Sequence, residues 1–296
     1  MSSPEIAHDP QSVPSEQPRG ERHRLLGVDL VFSELTVLFR RRRSIAMLVA
    51  VALIPVLLAV AVALTAQELA PGEGPPFLDR VTQNGLFVGF AAMIIAIPLF
   101  LPLTVGVVAG DTIAGEASQG TLRYLLVAPA GRLRLLVVKF IGTVAWALAA
   151  TLTLMVSGLI IGSILFPVGP VTLLSGDVVG LGESLSRVML VALYASISLV
   201  GLSAVGLFIS TLTDVPVGAM AATVIVPIVS QILDALPQLS AVHPYLLTHY
   251  WLGFADLLRN PIEWSSFTSN ALLQLGYIVV FGSLAYSRFA TKSILS

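Results

Sequence analysis

The sequence predicts an all-α membrane protein of six transmembrane helices with both termini cytoplasmic, and three observations predict it. Apolar residue types fill 56% of the 296 positions and charged ones only 11%, with a mean hydropathy of +0.91. Soluble domains carry about a quarter charged residues, so this composition belongs to a chain that lives in lipid. Six apolar runs are long enough to cross a hydrocarbon core of about 30 Å, which takes roughly 20 helical residues. The basic residues then fall on alternate loops, the pattern that sets orientation.

The first 23 residues are polar and rich in Pro and Ser and are expected to form a disordered cytoplasmic tail. Residues 24–43 mix Leu26, Leu30, Val37 and Phe39 with Asp29, Glu34 and an arginine block, which suits an amphipathic helix along the inner membrane face. The transmembrane domain is expected over residues 44–289, with spans at 44–66, 86–109, 135–166, 188–212, 215–236 and 268–286. The third is longer than a straight crossing needs and so tilts or protrudes, and the sixth is the least apolar. Pro55, Pro98, Pro102 and Pro227 lie inside spans, where neighbouring helices must satisfy the carbonyls that they free. Residues 237–266, between spans 5 and 6, read as short external helices or a re-entrant hairpin, with Tyr245, Tyr250 and Trp251 at the interface.

Six spans put both termini on one side. That side holds thirteen basic residues, among them Arg40 to Arg43, Arg132, Arg134, Lys139 and Arg288, against Arg80, Arg187 and Arg259 on the other. The imbalance predicts a cytoplasmic location for both ends.

Between spans 2 and 3 runs GEASQGTLRYLLVAPAGRLRLLVVKF, Gly115 to Phe140. Leu122, Leu125 and Leu126 share one face of a short helix, Gly115 and Gly120 loosen the chain before it, and Pro129 stops it. Two helical turns are marginal alone in water, so the leucines need a surface: headgroups, the feet of neighbouring spans, or another protein.

Several functions are excluded or weakened by what the chain carries. A net charge of −1 gives no basic face for nucleic acid. With no cysteine there are no disulfides and no thiolate chemistry. A phosphate-binding Gly-x-x-x-x-Gly-Lys-Ser/Thr sequence is absent, and neither lysine follows a glycine. An intramembrane enzyme would need a metal or nucleophile constellation, and His-Glu-x-x-His does not occur. A secondary carrier would show an internal repeat and charges deep in broken spans, of which Asp234 is the one hint.

Other residues stand out individually. His243 and His249, with Asp256 nearby, are weak metal candidates, set against a plain interfacial turn. Gln231 and Asp234, near the outer end of span 5, are candidates for the substrate pathway. Lys139 is placed to snorkel toward the headgroups. Three glycine pairs spaced four apart, Gly85/Gly89, Gly106/Gly110 and Gly158/Gly162, permit close helix approach, and Ser157 is expected to bond backbone.

The segment GDTIAGEASQGTLRYLLVAPAGRLRLLVVKF resembles the signature of the ABC-2-type permeases, the membrane subunits of bacterial ABC exporters. The matching positions are Glu116, Gly120, Thr121, Leu122, Leu125, Leu126, Pro129, Arg132 and Lys139. The resemblance implies that residues 116–129 form a coupling helix seated in a cleft of a separate ATPase subunit. It implies two ATPase copies that bind ATP and Mg2+, no cofactor in this chain, and pairing with a second copy or a related permease in the bacterial plasma (inner) membrane. The short link Ser210 to Asp214 would be a second cytoplasmic foot, or simply a tight loop. By analogy the cargo is amphipathic or lipid-like (a drug, antibiotic or lipid). Ion extrusion, or delivery of material to an extracytoplasmic assembly pathway, are the alternatives.

Overall fold

The computed structural model describes residues 19–66, 76–121 and 131–291. Among them are six helices long and apolar enough to cross a membrane: span 1 (Arg42–Thr65), span 2 (Phe87–Ser118), span 3 (Arg132–Leu165), span 4 (Leu181–Leu212), span 5 (Pro216–Asp234) and span 6 (Ser265–Thr291). Mean hydropathy falls from 3.0 in span 1 to 1.3 in span 6.

Several helices run past their predicted bounds, for one reason. Hydropathy ends a span at its first charges, whereas a helix continues where those charges find partners. Span 2 passes Ala109 to Ser118 because Asp111 and Glu116 meet cations from other helices. Span 4 starts at Leu181 rather than Val188, and its first turns are tied by Glu183 to Arg187 at 2.7 Å. The predicted inner-face helix is α1 (Arg19–Arg40). Arg41, in an extended conformation, separates it from span 1, so Arg42 and Arg43 open that span instead of closing α1.

Span 4 is the centre of the bundle, its most apolar stretch far more buried than those of spans 1, 5 and 6. It breaks at Leu199, between Ser198 and Val200. The break leaves the Gly201 N–H to another acceptor, and Gln274 Oε1 of span 6 takes it at 3.1 Å. The Gln274 amide in turn donates to Asn270 Oδ1 and the Leu247 carbonyl, while Asn270 donates to Ser198 Oγ at 2.8 Å. A polar patch that lipid would not tolerate is thus sealed between spans 4 and 6.

Span 2 carries the second irregularity, a π-turn over Ala96–Phe100. Pro102 has no N–H for the carbonyl one turn earlier, which belongs to Pro98. Gln231 of span 5 donates to that carbonyl at 2.7 Å. Gln231, a substrate-pathway candidate in the sequence, thus has its amide on a proline-freed acceptor.

Glycines set how closely the helices approach. A Cβ on Gly85 would lie 2.2 Å from the Gly162 carbonyl oxygen, and one on Gly158 would lie 2.7 Å from Gly89 Cα. Two of the glycine pairs are therefore one interface, Gly85/Gly89 against Gly158/Gly162. The third, Gly106/Gly110, faces Val224 and Met220 of span 5. Span 2 is held between span 3 at one end and span 5 at the other. Ser157 donates to the Leu154 carbonyl, as sequence suggested.

At the end of the bundle away from α1 sit the helix Pro76–Gln83, a two-stranded antiparallel hairpin of β1 (Val171–Thr172) and β2 (Val178–Val179), and three short 3-10 segments between spans 5 and 6. The buried Arg187 guanidinium donates to the carbonyls of Leu257 and Arg259, both at 2.7 Å, and so fastens the last of these segments to span 4.

Replacing Gly162 by leucine should separate spans 2 and 3. Overpacking of this kind costs about 1–3 kcal/mol, so the apparent unfolding temperature in detergent should drop, whereas Gly282→Ala, with open space around it, should leave it unchanged.

Candidate functional site: the charged base of the loop between spans 2 and 3

Four segments meet at the α1 end: α1, the start of span 1, the last turns of span 2 and the second turn of span 3. Their charges form one cluster. Lys139 Nζ donates to both oxygens of Glu34 at 2.9 Å and to Glu116 Oε1 at 3.0 Å. The lysine side chain is 5% exposed and the two carboxylates are 24% and 20% exposed. Beside them, Asp111 receives Arg43 at 2.5 Å and Arg41 at 3.4 Å. Three acids face three bases, so the cluster is neutral as a whole.

The geometry changes the reading of Lys139. Its side chain turns inward between helices rather than snorkelling, because two carboxylates offer more than headgroup water. In a poorly hydrated site the pair is sustained by the number and quality of its hydrogen bonds. The crevice among these residues holds about 30 Å3. That is room for a water molecule and far too small for an organic substrate.

The span 2 terminus explains the Glu-x-x-x-Gly-Thr spacing. Gly120 adopts φ +70°, the left-handed conformation that glycine takes most cheaply. Its N–H bonds the Ala117 carbonyl at 3.1 Å, and the Thr121 N–H bonds the Glu116 carbonyl at 3.1 Å. These two bonds make a Schellman stop, with Gly120 at the position after the helix cap. The Thr121 hydroxyl then donates to the Glu116 carboxylate. One signature thus ends the helix, aims the carboxylate and seats it on Lys139.

The other end of the loop is fixed separately. Gly131 has φ +74° and precedes span 3. Arg132 Nη1 donates to the carbonyls of Phe289 at 3.0 Å and Ala290 at 2.5 Å. A guanidinium on the last carbonyls of span 6 also suits the negative end of that helix dipole. Ser210, in the region of the proposed second foot, accepts from the backbone N–H groups of Ile113 and Ala114 at 2.8 Å.

Of the nine signature positions, Glu116, Thr121 and Lys139 are brought together, Gly120 shapes their turn, and Arg132 is spent on span 6. Leu122, Leu125, Leu126 and Pro129 lie outside the described residues. The predicted helix over 116–129 is corrected at its start, since residues 116–118 belong to span 2. Sequence reasoning missed Glu34 and Asp111, the acids that complete the cluster. The available signal was three acids, Glu34, Asp111 and Glu116, standing beside apolar runs with basic residues within reach.

The histidines pair differently from their sequence neighbourhood. His249 Nδ1 lies 2.7 Å and His243 Nδ1 3.8 Å from Asp234 Oδ1, while Asp256 binds Arg259 and the Ser266 hydroxyl. Among the described residues no group of three or more His, Cys, Asp or Glu side chains is arranged to hold a metal ion.

Fold and cluster together define a polytopic helical membrane protein with a charged cluster where span 2 ends and span 3 begins. The family model described as ABC-2 family transporter protein matches residues 37–230. The chain belongs to that family, as the membrane-embedded component of a transporter. A comparison with curated proteins finds no match. The matched range takes in the charged cluster except Glu34 and ends before Asp234, His243 and His249.

Removing the ammonium from between two half-buried carboxylates should cost about 3–5 kcal/mol. Lys139→Met should lower the unfolding midpoint in detergent accordingly. The combined Glu34→Gln, Glu116→Gln and Lys139→Met variant, which removes the uncompensated charges, should recover most of the loss. An unchanged midpoint for the single variant would show that the cluster is not a clamp.

Proposed function

We propose that this chain is the permease subunit of an ABC exporter, working as a dimer with itself or a related permease and driven by two separate ATPase chains. The observation that carries the reading is how the residues on either side of 122–130 are fixed: Thr121 and Lys139 both donate to Glu116 on one side, and Arg132 donates to the last carbonyls of span 6 on the other. A segment held this way moves with spans 2, 3 and 6 together when pushed. Its leucines supply an apolar face for a cleft in the ATPase, which binds ATP and Mg2+.

Switching a pathway from 1:99 to 99:1 between two facings takes about 5.5 kcal/mol of differential binding. A phosphate-binding loop is absent from the sequence, so a partner that grips residues 122–130 differently in its open and closed forms supplies that energy. The arginine imbalance puts α1, the loop and both termini on the cytoplasmic side of a bacterial plasma membrane. The cargo is amphipathic or lipid-like and moves outward.

The test is the chain co-expressed with a candidate ABC ATPase chosen by its co-purification with this permease. Leu125→Asp should abolish permease-stimulated ATP hydrolysis and release the ATPase on purification, while the variant still inserts and melts like the parent. Full stimulation by that variant would refute the coupling role.

A further inference from the structure

The end of the bundle away from α1 contains an apolar cavity of about 460 Å3, within the roughly 300–1,000 Å3 range of ligand sites. Phe87 and Phe90 of span 2 and Leu258 of the third 3-10 segment form its walls. Ile94 and Leu252 stand at its mouth, each 52% exposed. Ile94 belongs to the apolar exterior of span 2 and Leu252 to the third 3-10 segment, so the mouth opens where the lipid-facing side of span 2 meets that segment.

The lining has one charged member, Arg80. Its guanidinium lies 5.8 Å from the centre of the Phe87 ring and makes a long 3.5 Å hydrogen bond to the Thr172 carbonyl. Among the described residues no carboxylate pairs with it. The other two arginines at this end are both paired, Arg187 with Glu183 and Arg259 with Asp256. A larger groove along span 6, lined by Tyr245, Tyr250, Tyr277 and Phe281, has no charged residue at all. Among the described residues, a guanidinium with no carboxylate partner on an apolar, aromatic cavity is found at this place alone.

We propose that this cavity is a lipid site, which takes an acyl chain of an anionic phospholipid from the surrounding bilayer and binds its phosphate through Arg80. Guanidinium and phosphate match in geometry and charge, and the bond strengthens where water is scarce. A zwitterionic lipid with the same chains offers the same phosphate, but its own ammonium competes with Arg80 and weakens the contact. The site thus selects on headgroup charge, whereas the span 6 groove does not. The proposal requires only that the spans lie in a bilayer, and it stands independently of the ATPase reading.

The experiment is native mass spectrometry of the detergent-purified chain, titrated with phosphatidylglycerol and phosphatidylcholine of identical chains. The wild type should bind phosphatidylglycerol about tenfold tighter at one site, the ratio worth about 1.4 kcal/mol. Arg80→Gln should remove that preference, and Arg259→Gln, which alters a paired arginine at the same end, should keep it. Ala91→Phe, which fills the cavity while leaving Arg80 in place, should lose the site for both lipids. Equal binding of the two lipids by the wild type would overturn the proposal. So would a preference that survives Arg80→Gln, or one lost equally in Arg259→Gln.

Discussion

A single ammonium group organises the α1 end of this molecule. Lys139 is nearly inaccessible, so its charge must be answered from within the protein, and the two carboxylates that answer it come from separate helices. Glu34 brings α1 against span 3, and Glu116 brings the end of span 2 to the same point. Coulomb attraction between helices is modest where water screens it and strong where it does not. Here it acts at the boundary between helices that lipid alone would hold only loosely, since apolar contact between spans has no hydrophobic advantage over lipid.

The same scarcity of water accounts for the other polar features. Pro102, the break at Leu199 and the end of span 6 each leave backbone groups without a helical partner, and each is met by one side chain: Gln231, Gln274 and Arg132. Gln231 and Arg132 were functional candidates in the sequence, whereas Gln274 was not singled out there. Their common task is to let helices bend or stop inside a bilayer.

Much of the fold was legible. Composition and run length sufficed for six spans, because a bilayer imposes its thickness on every crossing. The glycine pairs pointed to close approach, although not to which pair meets which: Gly85/Gly89 with Gly158/Gly162 is a tertiary fact. Span ends were misjudged where charges find partners, across the bundle at Asp111 and within the same helix at Glu183. In the candidate site, Glu116, Gly120, Thr121 and Lys139 were picked out by the resemblance to the permease signature, whereas Glu34, though an acid beside an apolar run, stands 105 positions before its partner, and local sequence does not show which base it meets. Asp234 rather than Asp256 meets the histidines because span 5 ends beside the segment that follows it, which proximity in sequence does not reveal.

In the proposed mechanism a separate motor moves this permease through residues 122–130, and the Lys139 cluster fixes the helix ends on either side of them. Hydrogen–deuterium exchange of the purified permease with and without its ATPase tests this most directly. The account predicts new protection in peptides covering residues 121–131, with residues 34–40 and 132–139 already protected in the permease alone. Protection confined to the opposite end of the bundle, or none over residues 121–131 in a stable complex, would contradict it.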